Sequence, residues 1–181
     1  MTCSADDVLD YWFNILSAKH WFKKSATIDA EIRDRFEAIY WQATRGELST
    51  WRDFDRGRLA EIIVLDQFSR NMFRDQAQAF AFDPLAVVLS QEAIRAGADQ
   101  SLSDDEKAFL YMPLMHSESL AVHEQAMAVF DQPGLEKNFR YEKAHLRIIE
   151  QFGRYPHRND VLGRESTDEE REFLKQPGSS F

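Results

Sequence analysis

The amino-acid sequence predicts an all-α protein, and two observations carry the prediction. Apolar residues recur at spacings of three and four over most of the chain, which is the period of an amphipathic helix. No stretch of four or more residues alternates clearly between apolar and polar side chains, so no sheet is expected. Short Gly- and Pro-containing links favour antiparallel neighbouring helices, about eight in number, in a bundle or in stacked helical hairpins.

The first third of the chain predicts three long helices and one short link. Ser4 is the expected N-cap of a helix over 5–18. A second helix is predicted over 28–44, and a short helical link around Trp51 follows it. The helix predicted over 56–70 is the most apolar of these, so we expect it to be central.

The rest of the chain carries clearer start and stop signals. A capping box is predicted where a Ser or Thr precedes an acidic residue by three positions, and Gly or Pro marks several ends. The predicted helices run from Asp83-Pro84 to Gly97, from Ser103 and Glu106 to Pro113, over 117–131, over 136–152 up to Gly153, and from Thr167 and Glu170 through Leu174.

Length and composition predict one domain. A chain of 181 residues buries enough surface to fold without disulfides or metals, and Cys3 alone excludes an intramolecular disulfide. We therefore expect a single helical domain over 1–174 and a frayed tail over 175–181.

The charge and the hydropathy restrict the partners and the location. A formal charge of −9 argues against nucleic acid, although residues 140–164 hold a local excess of Lys and Arg. The chain starts with polar and acidic residues, and no apolar run approaches the roughly 20 residues that cross a bilayer. A cytoplasmic protein with no membrane partner is expected, and its oligomeric state is left open.

The stretch Phe152–Asn159 concentrates hydrogen-bond donors at the predicted end of a helix. Gly153 and Pro156 stop the helix, and the candidate ligand-binding residues there are Arg154, Arg158 and Asn159. Forked guanidinium bonds would hold a carboxylate or a phosphate. The alternative is that both arginines pair with Glu150, Asp160 or Asp66 and tie the C-terminal segment down.

A second polar cluster ends the central predicted helix. Asp66 and Arg70 are four residues apart, so they can pair along one face, and Gln67 and Asn71 lie beside them. The alternative is an ordinary surface ion pair. Because Leu65 and neighbouring apolar residues bracket the cluster, we expect some of it to be buried and to need a partner or a ligand.

The third cluster follows Pro113. A helix that begins near Ser117 offers unpaired amides to an anion, but Ser117 or Glu118 would also serve as its cap. His116 has the ordinary pKa range of a general base, and a satisfied structural histidine is an equal alternative.

Metal and cofactor motifs are incomplete in this sequence. His123-Glu124 lacks the second histidine of a zinc-protease motif, since position 127 is Met, and His116-Ser117-Glu118 is followed by no Pro-Cys-x-x-Cys. No Gly-rich phosphate loop or dinucleotide fingerprint is present. We expect no metal and no cofactor.

Three stretches together resemble a widespread bacterial family of about this size that is known only as a domain of unknown function. They are 65–71, 111–118 and 152–159 with 162–164, and softer matches extend the resemblance over nearly the whole chain. The resemblance implies an all-helical fold similar to tetratricopeptide-type arrays, and it implies no settled activity.

Two functional hypotheses follow from the sequence. In the first, the polar clusters converge into a pocket for a small anionic ligand and form an enzyme site or a binding site. There the anion is held by Arg70, Arg154 and Arg158, acid–base chemistry comes from His116 with Glu118 or His157, and Gln67, Asn71 and Asn159 orient the ligand. In the second, a helical array binds a peptide without catalysis. A third reading treats the clusters as internal ties.

Overall fold

A computed structural model describes residues 3–180, and within this range the regular structure is helical throughout, with no strand. The all-α prediction is confirmed. The tetratricopeptide-like arrangement stays a prediction. The described residues exclude Met1, Thr2 and Phe181, so the predicted tail is seen only as far as Ser180. Within the tail, Ser179 is buried and its hydroxyl donates to the Leu174 carbonyl.

Helices of three kinds follow one another along the chain. The α-helices are α1 (Ala5–Asp10), α2 (Ala18–Trp21), α3 (Ala26–Thr44), α4 (Asp55–Ile63), α5 (Ser69–Met72), α6 (Asp83–Arg95), α7 (Asp104–Met115), α8 (Leu120–Phe130), α9 (Glu136–Phe152) and α10 (Asp168–Phe173). Two π-helical segments cover Tyr11–Ile15 and Val64–Phe68. Single 3-10 turns cover Ser49–Asp53, Ala77–Phe80, Ala98–Ser101 and Pro156–Arg158.

The chain forms two compact units. Within the described residues, the first unit comprises 3–74 and 78–113, and the second comprises 75–77 and 114–180. The sequence predicted one domain over 1–174, and that assignment stays a prediction.

The core of the first unit is built from aromatic rings. Trp12 meets Phe68 and Phe109 edge-on, at centroid distances of 5.6 and 5.4 Å. Phe36 lies 4.7 Å from Phe68, and all four side chains are almost completely buried. Edge-to-face contacts of this kind add to the stabilisation from area burial alone. The aromatic pairs therefore link the start of the chain to α3 and α7.

The core of the second unit forms where α9 ends. Ile148 and Ile149 pack with Tyr155, and Phe152 packs against Phe173 with a centroid distance of 5.0 Å. α9 stops at Gly153, whose φ of 69° is the left-handed conformation that glycine adopts without a Cβ penalty. This turn directs the chain back so that Tyr155 reaches the last turn of α9. The predicted range of 136–152 and the stop at Gly153 are confirmed.

Two predicted helices are interrupted by a wider turn. The helix predicted over 5–18 runs through α1 and a π segment and stops at Leu16, whose backbone is extended. The helix predicted over 56–70 is α4, a π segment and α5 in succession, and it continues to Met72. A π turn adds one residue to a helical turn, which changes the face on which every later side chain lies.

Pro113 lies inside α7, which continues to Met115. Proline removes its own N–H bond and its ring crowds the carbonyl four residues earlier, yet the helix extends two residues past it. The segment 117–119 that was predicted as helix is irregular, and α8 begins at Leu120 after the N-cap residue Ser119.

No helix within residues 3–180 combines the length and the apolar character that crossing a membrane requires.

We predict that Gly57→Ala destabilises the first unit although alanine is the better helix former. A Cβ at this buried position in α4 would overlap the Trp51 carbonyl, which belongs to the backbone and cannot simply rotate away. The helical preference for Ala of about 1 kcal/mol is outweighed by an overpacking cost of about 1–3 kcal/mol. Urea unfolding should show a net loss, whereas the adjacent control Arg58→Ala should change little. Equal stability of Gly57→Ala and wild type would contradict the prediction.

Candidate functional site

The predicted site residues divide between the two units. The first unit holds Gln67, Arg70 and Asn71, and the second holds His116, Glu118, Arg154, His157, Arg158 and Asn159. Their convergence into one pocket stays a prediction, so each group is described by itself.

The π segment Val64–Phe68 turns two polar residues into the interior of the first unit. Asp66 and Gln67 are both buried, and the Gln67 amide donates to the Asp66 carboxylate at 2.6 Å and to the Met112 sulfur at 3.2 Å. Adjacent residues on an α-helix diverge by about 100°. Here the two adjacent residues Asp66 and Gln67 both point inward, and they do so within the wider π turn. π segments are frequent at functional sites.

Arg70 is clamped by two carboxylates of the first unit. The predicted contact with Asp66 is confirmed at 3.2 Å. Asp83 at the start of α6, which the sequence did not indicate, accepts two parallel bonds at 3.0 and 2.9 Å. The Arg70 side chain is only 21% exposed, so this is an internal tie and not the surface pair that was the alternative.

Asn71 lines a small cavity. Its amide donates to Asp29 at 2.8 Å, and Arg74 binds the same carboxylate with two bonds of 2.7 Å. Burial alone would raise the pKa of Asp29, but the bonds from Arg74 and Asn71 lower it below its ordinary value. The cavity measures about 270 Å³ and is lined by Ala26, Asp29, Ala30, Arg33, Asn71, Met72 and Arg74.

Arg154 and Asn159 of the second unit converge on one buried carboxylate. Arg154 forms a forked pair with Glu170 at 2.6 and 2.8 Å, and it donates to the Glu165 carbonyl at 2.9 Å. The Asn159 amide reaches Glu170 at 3.2 Å. The partner is thus Glu170, not Glu150, Asp160 or Asp66, because the capping box at Thr167 turns Glu170 inward.

Glu118 is also held by bonds within its own unit. Arg164 donates to both carboxylate oxygens at 2.6 and 2.9 Å, and the Tyr155 backbone N–H donates at 2.7 Å. Burial alone would raise the pKa of Glu118, but these bonds and the charges of Arg164 and Arg158 lower it. An ionised carboxylate with all these donors is a fixed negative charge and a poor proton donor.

Tyr155 is the residue around which the remaining predicted groups gather. Its buried hydroxyl donates to the Met115 carbonyl at 2.6 Å. The Arg158 guanidinium lies over its ring at 4.6 Å and donates to the His116 carbonyl at 3.0 Å. The ring of His157 lies 5.7 Å away. We use the name Tyr155 cluster for Tyr155 with its neighbours His116, Glu118, His157, Arg158 and Arg164.

A completely buried pair, His123 and Glu142, packs against Tyr155 in this cluster. Nδ1 of His123 lies 2.6 Å from Glu142, while Nε2 lies 2.9 Å from the Ser117 carbonyl and 3.2 Å from the Tyr155 hydroxyl. A carbonyl only accepts, so Nε2 carries a proton, and a second proton lies between Nδ1 and the carboxylate. The pair therefore holds two protons and is neutral as a whole, whichever partner carries the second one.

His145 reports the electrostatics next to the cluster. Burial lowers the pKa of His145 to about 3 against the opposing effect of the Tyr141 carbonyl, and the nearby His116, His123 and Arg158 lower it further. His145 is thus neutral at physiological pH, chiefly because it is buried.

Sequence reasoning missed the groups that complete this region. His123 was considered only as part of an incomplete zinc motif. Glu142 and His145 were not recognised, although a Glu and a His three residues apart on the apolar face of α9 signal a buried polar contact. Arg164 was noted only as part of a matching stretch. Among residues 3–180, no three His, Cys, Asp or Glu side chains are grouped as a metal site requires.

Comparison with known proteins places the chain among proteins without an assigned function. A family model described as a bacterial protein of unknown function, DUF924, matches residues 8–178. A solved structure of a protein of unknown function from Agrobacterium tumefaciens is 40% identical, with a TM-score of 0.90 over 94% of this chain and 96% of that one. The search of curated proteins returned no match.

We predict that the pair of Arg154 and Glu170 makes stability depend on acid pH. The bonds from Arg154 lower the pKa of Glu170 to about 2 from an ordinary value of 4.5, so its contribution is complete above the ordinary value and is lost as the pH falls toward 2. Urea unfolding between neutral pH and about pH 2 should show a shallower loss in Glu170→Gln than in wild type. At neutral pH the variant should be less stable by about 1–3 kcal/mol. Parallel pH profiles would contradict this assignment.

We predict that the His123–Glu142 pair is a structural tie whose halves depend on each other. His123→Leu leaves a buried carboxylate without its partner and should cost about 3–5 kcal/mol, whereas His123→Leu with Glu142→Met should recover most of that loss. Thermal and urea unfolding of the two variants measure the difference. A double variant no more stable than the single one would contradict the prediction.

Proposed function

Since the chain belongs to the bacterial family DUF924, whose description assigns no function, we propose from its own residues that the protein binds a small anionic ligand at the Tyr155 cluster. The observation that carries the proposal is the concentration of positive charge beside half-exposed imidazoles around Tyr155. Arg158, Arg164, His116 and His157 gather there beside the carboxylate of Glu118.

Two arginines of this cluster are held by different contacts. Arg164 donates to both oxygens of Glu118, so the charges of this pair compensate each other. Arg158 lies over the Tyr155 ring and donates to the His116 carbonyl, and these contacts orient its guanidinium. Because a guanidinium presents several N–H donors in a planar fork, we expect Arg158 to bind the anion.

The partly exposed histidines His116 and His157 supply further hydrogen-bond donors near the surface. His116 and His157 are both partly accessible, whereas Arg158 is only 6% exposed, so a ligand would meet the imidazoles first. Imidazole and guanidinium N–H groups suit a carboxylate or a phosphate oxygen. A catalytic role for His116 and His157 stays a prediction, and the fixed charge of Glu118 favours ligand orientation over proton transfer.

The other predicted arginines take a supporting part in this proposal. Arg70 and Arg154 each form parallel bonds to a carboxylate within their own unit, so a ligand would have to displace a forked pair to reach them. We therefore assign Arg70 and Arg154 a role in the stability of their units. Gln67 and Asn71 lie near Arg70 in the first unit, and we assign them no part in binding the anion.

A thermal-shift measurement tests the proposal. Phosphate and a set of small carboxylates are added to the wild type, with sodium chloride at equal ionic strength as the blank. A ligand that binds only the folded state at 100 times its Kd adds about 2.7 kcal/mol, which raises Tm by about 5–10 °C in a chain of this size. We expect Arg158→Gln to lose the shift and Arg140→Gln, an exposed arginine on α9, to keep it.

His157→Gln serves as the second variant because the His157 side chain is partly exposed, whereas that of Arg158 is buried. We expect it to weaken the shift without lowering the Tm of the free protein by more than about 2 °C. If no anion shifts the wild type, or if Arg158→Gln and His157→Gln shift as much as wild type does, the cluster is an internal tie and the proposal is wrong.

A further inference from the structure

A short basic and aromatic segment of the first unit lies outside every site described above. Lys19, Phe22, Lys23 and Lys24 fall within six consecutive residues of α2 and the turn after it, and all four are exposed. We call these four residues the Lys19–Lys24 patch. From its geometry and charge we propose that the patch docks the protein on an anionic lipid surface.

The charge of the patch is opposite to that of the chain. No Asp or Glu occurs between Asp10 and Asp29, whereas three lysines do, in a protein whose formal charge is −9. Two other exposed basic residues are paired locally, Arg45 with Glu47 and Lys175 with Glu172. No carboxylate within residues 3–180 pairs with the lysines of the patch. Their charge is thus available to an anionic surface.

The apolar part of the patch is Phe22, which is 68% exposed although its ring lies parallel to Phe109 at 6.2 Å. Exposing most of a phenyl ring to water is unfavourable, and transfer into an apolar medium would remove that cost. A protruding ring flanked by lysines is the arrangement of an interfacial anchor: the ring enters the boundary of the acyl chains and the ammonium groups stay among the phosphates.

Contacts of Trp21 and Ser17 hold the backbone of the Lys19–Lys24 patch in place. The Trp21 indole donates to the Trp12 carbonyl at 2.8 Å, its ring stacks on Trp12, and Phe109 meets it edge-on at 4.8 Å. The Ser17 N–H donates to the His20 ring at 3.1 Å and fixes the start of α2. Because Trp21 is anchored in this way, Phe22 and the lysines are presented outward at fixed positions, and little ordering is needed on docking.

A lipid surface accounts for these features better than an acidic peptide does. Basic side chains alone would suffice for an acidic peptide, whereas the protruding Phe22 ring offers an apolar contact that such a peptide does not require. A membrane needs only a protruding apolar group and nearby positive charge. From the sequence no membrane partner was expected, because no apolar run is long enough to cross a bilayer, but interfacial docking requires no spanning segment.

Co-sedimentation with vesicles tests the proposal. We expect the wild type to bind vesicles of phosphatidylcholine and phosphatidylglycerol in equal parts and to dissociate from them at high salt. It should not bind vesicles made only of phosphatidylcholine. Lys19→Gln, Lys23→Gln and Lys24→Gln together should lower the partition coefficient about a hundredfold, and Phe22→Ser about tenfold. The matched control is Phe54→Ser, since Phe54 is 71% exposed but lies outside the patch. It should bind as the wild type does.

Circular dichroism and melting curves establish that each variant is folded before it is scored. Absence of wild-type binding to the anionic vesicles overturns the proposal. Equal effects of Phe22→Ser and Phe54→Ser overturn the proposal as well, because they would show nonspecific adsorption through any exposed apolar side chain. If polyglutamate competes fully and Phe22→Ser has no effect, the patch takes an acidic polypeptide and the lipid assignment is wrong.

Discussion

Buried carboxylates that must be matched by an arginine or a histidine are the constraint on which both units depend. Glu61 and Asp66 are buried in the first unit and are bound by Arg52 and Arg70. In the second unit, Glu142 and Glu170 are buried and are bound by His123 and Arg154. A buried charge without a partner costs several kcal/mol, so each contact fixes the register of the helices that supply its two halves. The polar motifs of this chain are in large part the means by which its helices are held in place.

The elements that the sequence predicted best are those with local chemical signals. α9 was predicted from 136 to 152 because its apolar period is regular and Gly153 supplies the left-handed turn at its end. The capping box of α10 was likewise readable from Thr167 and Glu170. The π segments were missed, because no residue type marks a turn of i→i+5 and the period of the apolar side chains changes by only one position.

Apart from the contact between Asp66 and Arg70, the sequence predicted the types of residue at the site but not their partners. The Arg-rich stretches were recognised, yet Arg154 was assigned to Glu150, Asp160 or Asp66 although its carboxylate is Glu170, and Arg164 with Glu118 was not foreseen. Such partners lie 16 and 46 residues apart, and charge complementarity alone allows many other pairings at those separations. Helical period determines which face a residue occupies, but it does not determine which turn of another helix that face meets.

The π segment Val64–Phe68 also limits how the length of this region can vary in evolution. From Asp55 to Met72 the helix is continuous, with the wider turn between α4 and α5. Loss of one residue from the segment would restore a regular ladder, but it would rotate every later residue by about 100°. Arg70 would then point away from Asp83. We therefore expect single-residue gaps to be absent here when relatives are aligned, while substitutions that keep the spacing remain acceptable.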